Sequence, residues 1–297
     1  MRTTVRAAVV AGTALVCAVL GVPAAAATEP VPAPGVGYDV SHPQCDDSLP
    51  VDAAFAVVGV NGGTATTENS CLADQWAWAI GSSGASSWGA RPAQPRAQLY
   101  VNTANPGEVR DQVTTWPRSG DNRYGLCDGD NSAACSYEYG LARAEDDVRI
   151  VLDTLGPSAA GAGDAGVGAA DLVGLSWWLD VETMNTWQTD GAQAQRNNRA
   201  TLEGMADHLR SLGSRVGLYS TSYQWARIIG TVPPSSSLYE LDSWLAGART
   251  LRAAVANCSD EPLVGGGRVV LAQYVVDDLD RDRACRSGAE RAPGAPG

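Results

Sequence analysis

Leu175-Ser176-Trp177-Trp178-Leu179-Asp180-Val181-Glu182 lies past the middle of the chain and ends in two acids. Strand alternation places Leu175, Trp177, Leu179 and Val181 on one face and Ser176, Trp178, Asp180 and Glu182 on the other. On a strand rising about 3.3 Å per residue, the two acids sit about 6 to 7 Å apart and point into the same space.

Outward from this strand, the same short β-branched texture alternates with helical patterns. Further strands are expected at 37–40, 54–60, 98–101, 216–219, 243–246 and 269–274, and helices at 72–80, 137–155, 194–212, 223–229 and 251–256. Val148, Val151, Leu152 and Leu155 fall at i, i+3, i+4 and i+7, which gives that helix an apolar face. Leu202, Met205, Ala206, Leu209 and Leu212 repeat the pattern, and Gly213 follows as a C-cap glycine. Repeated βα units, with about seven strands in one stretch, predict an α/β fold: a single, irregular (β/α) TIM-like barrel. The run from Gly156 to Gly168 reads as a flexible insertion. The segment from Trp116 to Ser136 has charges but no periodicity and is expected to lie over one end of the barrel. No fixed-period repeat is present, which disfavours a solenoid.

The ends read differently. Arg2 and Arg6, an apolar run from Ala7 to Val22 and the small residues Ala24 to Ala27 form a secretory signal peptide, residues 1–27. A proline-rich linker, 28–36, leads into one barrel domain, 37–286, and a Gly/Ala/Pro tail follows at 287–297. The implied location is extracellular or at the cell wall, with no membrane contact after signal cleavage. Removing the segment's two arginines, with no acid lost, moves the formal charge from -12 to -14, which argues against nucleic acid as a partner. The basic residues include no lysine, so there is no polybasic lipid anchor of the usual kind. Losing Cys17 with the signal leaves six of the seven cysteines, an even number suited to three disulfides in an exported chain. Nearest-neighbour pairing gives Cys45 with Cys71, Cys127 with Cys135, and Cys258 with Cys285, although six cysteines allow other connectivities. A metal site is not expected: there is no C-x-x-C, and His42 and His208 are the only histidines. No cofactor is implied, because Gly62-Gly63 and Gly265-Gly266-Gly267 do not fit a phosphate-binding fingerprint.

The chemistry centres on Asp180 and Glu182. Two carboxylates facing one space raise each other's pKa, so one can stay protonated while the other stays ionised, which suits glycosidic bond cleavage. A D-x-E is common, and a solvated strand end is the plain alternative. The expected position at the C-terminal end of a barrel strand favours chemistry, as do Asp39 at the end of the first strand and the acids after the last. A Ser-His-Asp hydrolase is disfavoured because no G-x-S-x-G is present.

Gly37-Tyr38-Asp39-Val40-Ser41 resembles the opening G-x-D-V-S of family 25 glycoside hydrolases, the secreted lysozyme (N-acetylmuramidase) group, and Leu179-Asp180-Val181-Glu182 resembles its D-x-E strand. Tyr219-Ser220-Thr221, Trp244-Leu245-Ala246, Gln273-Tyr274 and Asp280-Arg281-Asp282 follow in the order of that group's later signatures. Pro43-Gln44-Cys45, Val101 to Gly107, Asn185-Thr186-Trp187 and Gln224-Trp225 are similar to a related exported, glycoside-hydrolase-like family. The resemblance covers nearly the whole mature chain. It implies Glu182 as general acid, Asp180 as the carboxylate assisting the 2-acetamido group or the oxocarbenium charge, and Asp39 and Asp280 as groups that set the pair's protonation. It also implies substrate contacts from Tyr38, Asn61, Asn102, Tyr219, Gln273 and Tyr274. Where the lysozymes carry a K-x-x-E-G-like segment, Val60-Asn61-Gly62-Gly63 stands here, which removes a charged pair from the expected rim.

Trp178 and Trp187, near the acids, are the candidates for stacking on sugar rings, whereas Trp177 shares the core face with Leu179. The leading reading is therefore a secreted glycoside hydrolase acting on a cell-wall or related N-acetylated polysaccharide. Its rival is a catalytically weak or inactive barrel that binds wall glycan or a protein partner. A binder could bury these acids or pair them with an arginine such as Arg123.

Overall fold

The computed structural model describes residues 36–83, 94–156, 167–189, 191–277 and 279–285. The expected signal and tail and most of the 156–168 insertion lie outside the described residues. In chain order the elements are β1 (Val36–Val40), β2 (Ala56–Gly59), α1 (Leu72–Ile80), β3 (Ala97–Asn102), β4 (Gly120–Asn122), β5 (Gly125–Cys127), α2 (Ala133–Leu155) and β6 (Ser176–Asp180). Then come α3 (Gly191–Ser211), β7 (Arg215–Ser220), α4 (Ser222–Ile228), β8 (Asp242–Ala248), α5 (Leu251–Asn257), β9 (Val269–Val276) and β10 (Leu279–Ala284).

Eight strands close into a barrel in the order β1, β10, β9, β8, β7, β6, β3, β2. All neighbours are parallel except β10, which runs antiparallel to both β9 and β1. The α/β barrel is thus present, with one strand more than the apolar pattern indicated. β10 carries charge on both faces, so no apolar period marks it. Asp277, at φ 54°, takes a left-handed conformation that aspartate tolerates and turns the chain from β9 towards β10. Val36, assigned to the linker, is instead the first residue of β1, buried and paired with Arg283.

The strand alternation sorts the core into two layers. Val40, Val58, Leu99, Trp177, Leu179 and Leu218 face outward and pack with Val151, Leu202, Met205 and Leu209 from the covering helices. Phe55, Val57, Trp178, Tyr219, Trp244 and Leu271 fill the interior. Room for Trp178 comes from Gly217 on the neighbouring strand, where an added Cβ would lie 2.3 Å from the indole.

The three disulfides join Cys45 to Cys71, Cys127 to Cys135 and Cys258 to Cys285. They tie the turn after β1 to the start of α1, the end of β5 to the first turn of α2, and the C-cap of α5 to the residue after β10. The Trp116–Ser136 segment is not featureless: it forms the β4–β5 hairpin, and Trp116 stacks on Tyr139 of α2 with ring centroids 5.6 Å apart. Asn122 Nδ2 donates to Ala134 O and Glu138 Oε1, so the hairpin lies against α2. Among the described residues no helix is long and apolar enough to cross a membrane.

Candidate active site

Asp180 ends β6 with its side chain in the barrel interior, at the C-terminal mouth of the parallel strands, and is only 4% exposed. Glu182 follows two residues later on the same face and is half-buried. Backbone bonds carry this short extension: Val181 N donates to Tyr219 O at 2.9 Å, and Ser220 Oγ donates to Val181 O at 2.7 Å. The Glu182 carbonyl accepts from Asn185 N and from Trp187 Nε1, which closes a tight turn behind the acid. On the other side, Thr103 Oγ1 and N both donate to Asp180 O.

Asp39 and Gln273 complete the interior at this level. Gln273 Nε2 donates to both Asp39 carboxylate oxygens at 3.1 Å, and Tyr219 OH donates to Gln273 Oε1 at 2.8 Å. Asn102 pairs in register with Asp180 and takes the same inward face. Asp280 lies on the inner face of β10 and is half-buried.

Two residues outside the sequence candidates join the site. Asp282, fully buried two positions beyond Asp280 on the same face, accepts from Trp244 Nε1 at 2.8 Å. Its signal was the D-x-D spacing of the last strand. Gln224 stands in the first turn of α4, capped by Thr221 Oγ1. Its Oε1 accepts from Thr183 N at 2.6 Å and Thr183 Oγ1 at 2.9 Å, while its Nε2 reaches Glu182 Oε1 at 3.5 Å.

Five carboxyls therefore share one mouth above a floor of Trp178, Trp244, Tyr219 and Tyr100. Burial holds Asp180 well above the usual carboxylate range, and the Glu182 charge adds to the shift. Burial also raises Glu182, with Gln224 pulling the other way. Asp280 is raised by burial and then by Glu182. Asp39 is raised well above normal by burial and by Asp282 and Asp280, whereas Asp282 is pushed up to about 8 mainly by burial. Asp39 and Asp282 interact as a pair, and one shared proton relieves their repulsion. Asp180 Oδ1 is buried without a hydrogen-bond partner. Among the described residues, no ion pair joins these five acids to an arginine. Arg123 pairs with Asp207 and Glu203 instead.

Several expected substrate contacts lie elsewhere. Tyr38 and Tyr274 neighbour inward residues and so face outward: Tyr38 packs with Val36 and Ala53 under the Arg281 guanidinium, and Tyr274 belongs to the outer core. Asn61 is buried and bridges elements, donating to Asp147 Oδ1 at 2.9 Å and accepting Asn102 N at 2.7 Å. Trp187 is 6% exposed and packs in the outer core. Trp178 is 4% exposed, donates Nε1 to Gln98 Oε1, and lines a cavity of about 340 Å³ at the opposite end of the barrel. Both indoles are thus buried, Trp187 in the outer core and Trp178 between the barrel interior and that cavity.

For a metal, one group among the described residues comes within ligand reach: Asp128, Asp130 and Cys135. The Cys135 sulfur is already bonded to Cys127, which leaves two exposed carboxylates.

A family model described as "Lysozyme-like protein 1" matches residues 169–250, the stretch from just before β6 through β8. "Lysozyme-like protein 5" of Caenorhabditis elegans is 42% identical over 53 residues, 18% of this chain, and the chain spans 22% of the length of that curated relative. Among solved structures, a muramidase from Trichobolus zukalii aligns at 17% identity over 85% of this chain and 94% of its own, with TM-score 0.46. A bacterial lysozyme from Streptomyces coelicolor aligns at 14% identity over 87% and 95%, and a family 25 glycoside hydrolase lysozyme from Aspergillus fumigatus at 14% over 85% and 94%, each with TM-score 0.45. The segment that carries Asp180, Glu182 and Tyr219 is lysozyme-like in sequence.

Proposed function

We propose that the protein is a secreted glycoside hydrolase, exported by residues 1–27, that cleaves a cell-wall or related N-acetylated polysaccharide as a muramidase does. The observation that carries this reading is the pair Asp180 and Glu182 at the barrel mouth, both raised above their ordinary range chiefly by burial, with no arginine ion pair to either among the described residues. Glu182, the more open of the two, donates its proton to the glycosidic oxygen as the C–O bond breaks. Positive charge then develops on the sugar ring. Asp180, whose ionised form is disfavoured in the empty site by burial and by Glu182, loses its proton to solvent as substrate binds, and its carboxylate faces the oxocarbenium or the 2-acetamido group it orients. A water then adds to the anomeric carbon and returns a proton to Glu182. Tyr219, held through Gln273 to Asp39, forms the wall beside the pair.

New reducing ends from peptidoglycan and chitin-type polymers test the reading. The mature protein is expected to generate them, and Glu182→Gln to slow the reaction by about 10² to 10⁴. Because the working acid must be protonated, activity should fall as pH rises through the elevated Glu182 pKa, above where an ordinary glutamate would titrate. The burial of Asp180 supports a second reading, a weakly catalytic barrel that binds wall glycan. Retained polymer with no cleavage by either protein would favour that one.

A further inference from the structure

A second concavity lies between the β4–β5 hairpin, α3 and the loop after α4, with a volume of about 280 Å³ and three arginines around it. Each guanidinium is held by a different partner. Arg123 binds Asp207 and stands 3.9 Å from Glu203. Arg196 lies over the Tyr124 ring at 5.6 Å, and Arg199 Nη1 donates to Ile229 O at 3.0 Å. The buried Glu203 carboxylate beneath them is already satisfied, accepting Tyr124 OH at 2.6 Å and Ser236 Oγ at 2.5 Å. Arg196 and Arg199 therefore add two like charges, one helical turn apart, that no carboxylate among the described residues meets by an ion pair.

We infer that this pocket binds a phosphoryl group carried on a polyol or sugar. The chain as a whole is strongly acidic, so a local excess of guanidinium is set against the field of the rest of the molecule. Its arginines come from α3 and the hairpin, with Ser235 lining a third side, whereas the Ser236 hydroxyl is committed to Glu203. That arrangement fits a tetrahedral oxyanion with oxygens pointing several ways, whereas a carboxylate asks for one planar fork. The volume exceeds what a bare phosphate fills and leaves room for the group that bears it. Tyr124 and Ile229 hold the two free cations in place, so little side-chain freedom is lost on binding.

Titration calorimetry with glycerol 3-phosphate, inorganic phosphate and acetate tests this independently of any glycan cleavage. The wild-type protein should bind the phosphoester saturably, inorganic phosphate more weakly and acetate not measurably. Arg196→Gln should weaken phosphoester binding about tenfold or more, and the double variant with Arg199→Gln should abolish it. Arg268→Gln, at an exposed arginine paired with Asp242 elsewhere, should change nothing. Should the double variant fail to fold, Arg196→Gln alone, at an exposed residue, and Arg199→Lys carry the test, the latter retaining charge but losing the fork. No saturable phosphoester binding, acetate binding as tight as phosphate, or variants that bind like wild type would each overturn the proposal.

Discussion

Asp147 of α2, joined through Asn61 to the backbone of Asn102, is a buried carboxyl outside the five-acid cluster. Its Oδ1 accepts from Asn61, its Oδ2 has no partner, and burial pushes its pKa up to about 7. In the unfolded chain the group titrates near the ordinary value of 3.8. The folded state thus holds the proton more tightly, so the contribution to stability is complete below about pH 4 and is lost as pH rises towards 7. Asp147→Asn keeps the acceptor for Asn61 and removes the ionisation. Denaturant unfolding at pH 8 should show the variant more stable by up to about 4 kcal/mol, with the difference vanishing near pH 4. Gln224 permits a second test at this scale. Replacing it by leucine removes the contact that pulls Glu182 down, so the alkaline limb of the activity profile should move to higher pH. The inward placement of Asp180 and Glu182 was legible because period-two alternation needs only local sequence. Applied to Asp39 and Gln273, the same rule turns Tyr38 and Tyr274 outward, which motif adjacency hid. The structural use of Asn61 was not legible, because its partner Asp147 lies 86 residues away.

At the scale of elements, α2 and α3 meet where Gly140 and Gly204 let two backbones touch. A Cβ on Gly140 would lie 2.0 Å from Thr201 O, and one on Gly204 would lie 2.2 Å from Tyr137 O. Neither obstacle is a side chain that can rotate away. Gly140→Ala should therefore destabilise by about 2 kcal/mol or more despite its better helix propensity, read as a lower thermal midpoint. The helices themselves were readable from their apolar stripes, and their ends fell within a few residues of expectation. The hairpin and β10 were not readable. The hairpin has three-residue strands held by a disulfide and by side chains of α2, and β10 sets aspartates inward and arginines outward, so neither has an apolar period. The carboxylate cluster is why β10 looks unlike a strand: its inner face is chemical rather than apolar.

At the scale of the whole molecule, the barrel is closed by its first and last strands. Val36, Gly37 and Tyr38 pair with Arg283, Asp282 and Arg281, and the Cys258–Cys285 disulfide locks the end of β10 to α5. Replacing Cys258 and Cys285 together by serine should lower stability by about 2–4 kcal/mol in denaturant titrations. Polymer cleavage should fall as well if the loosened β10 no longer holds Asp280 and Asp282 against Asp39. The barrel class was legible from alternating strands and helices; closure by an antiparallel strand depends on pairing across the full length of the chain. Because Asp39 comes from the first strand of the barrel and Asp280 and Asp282 from its last, a nascent polypeptide emerging amino end first has no assembled acid mouth until β10 itself has been made. The order of manufacture itself thus withholds the full set of acids until the barrel closes.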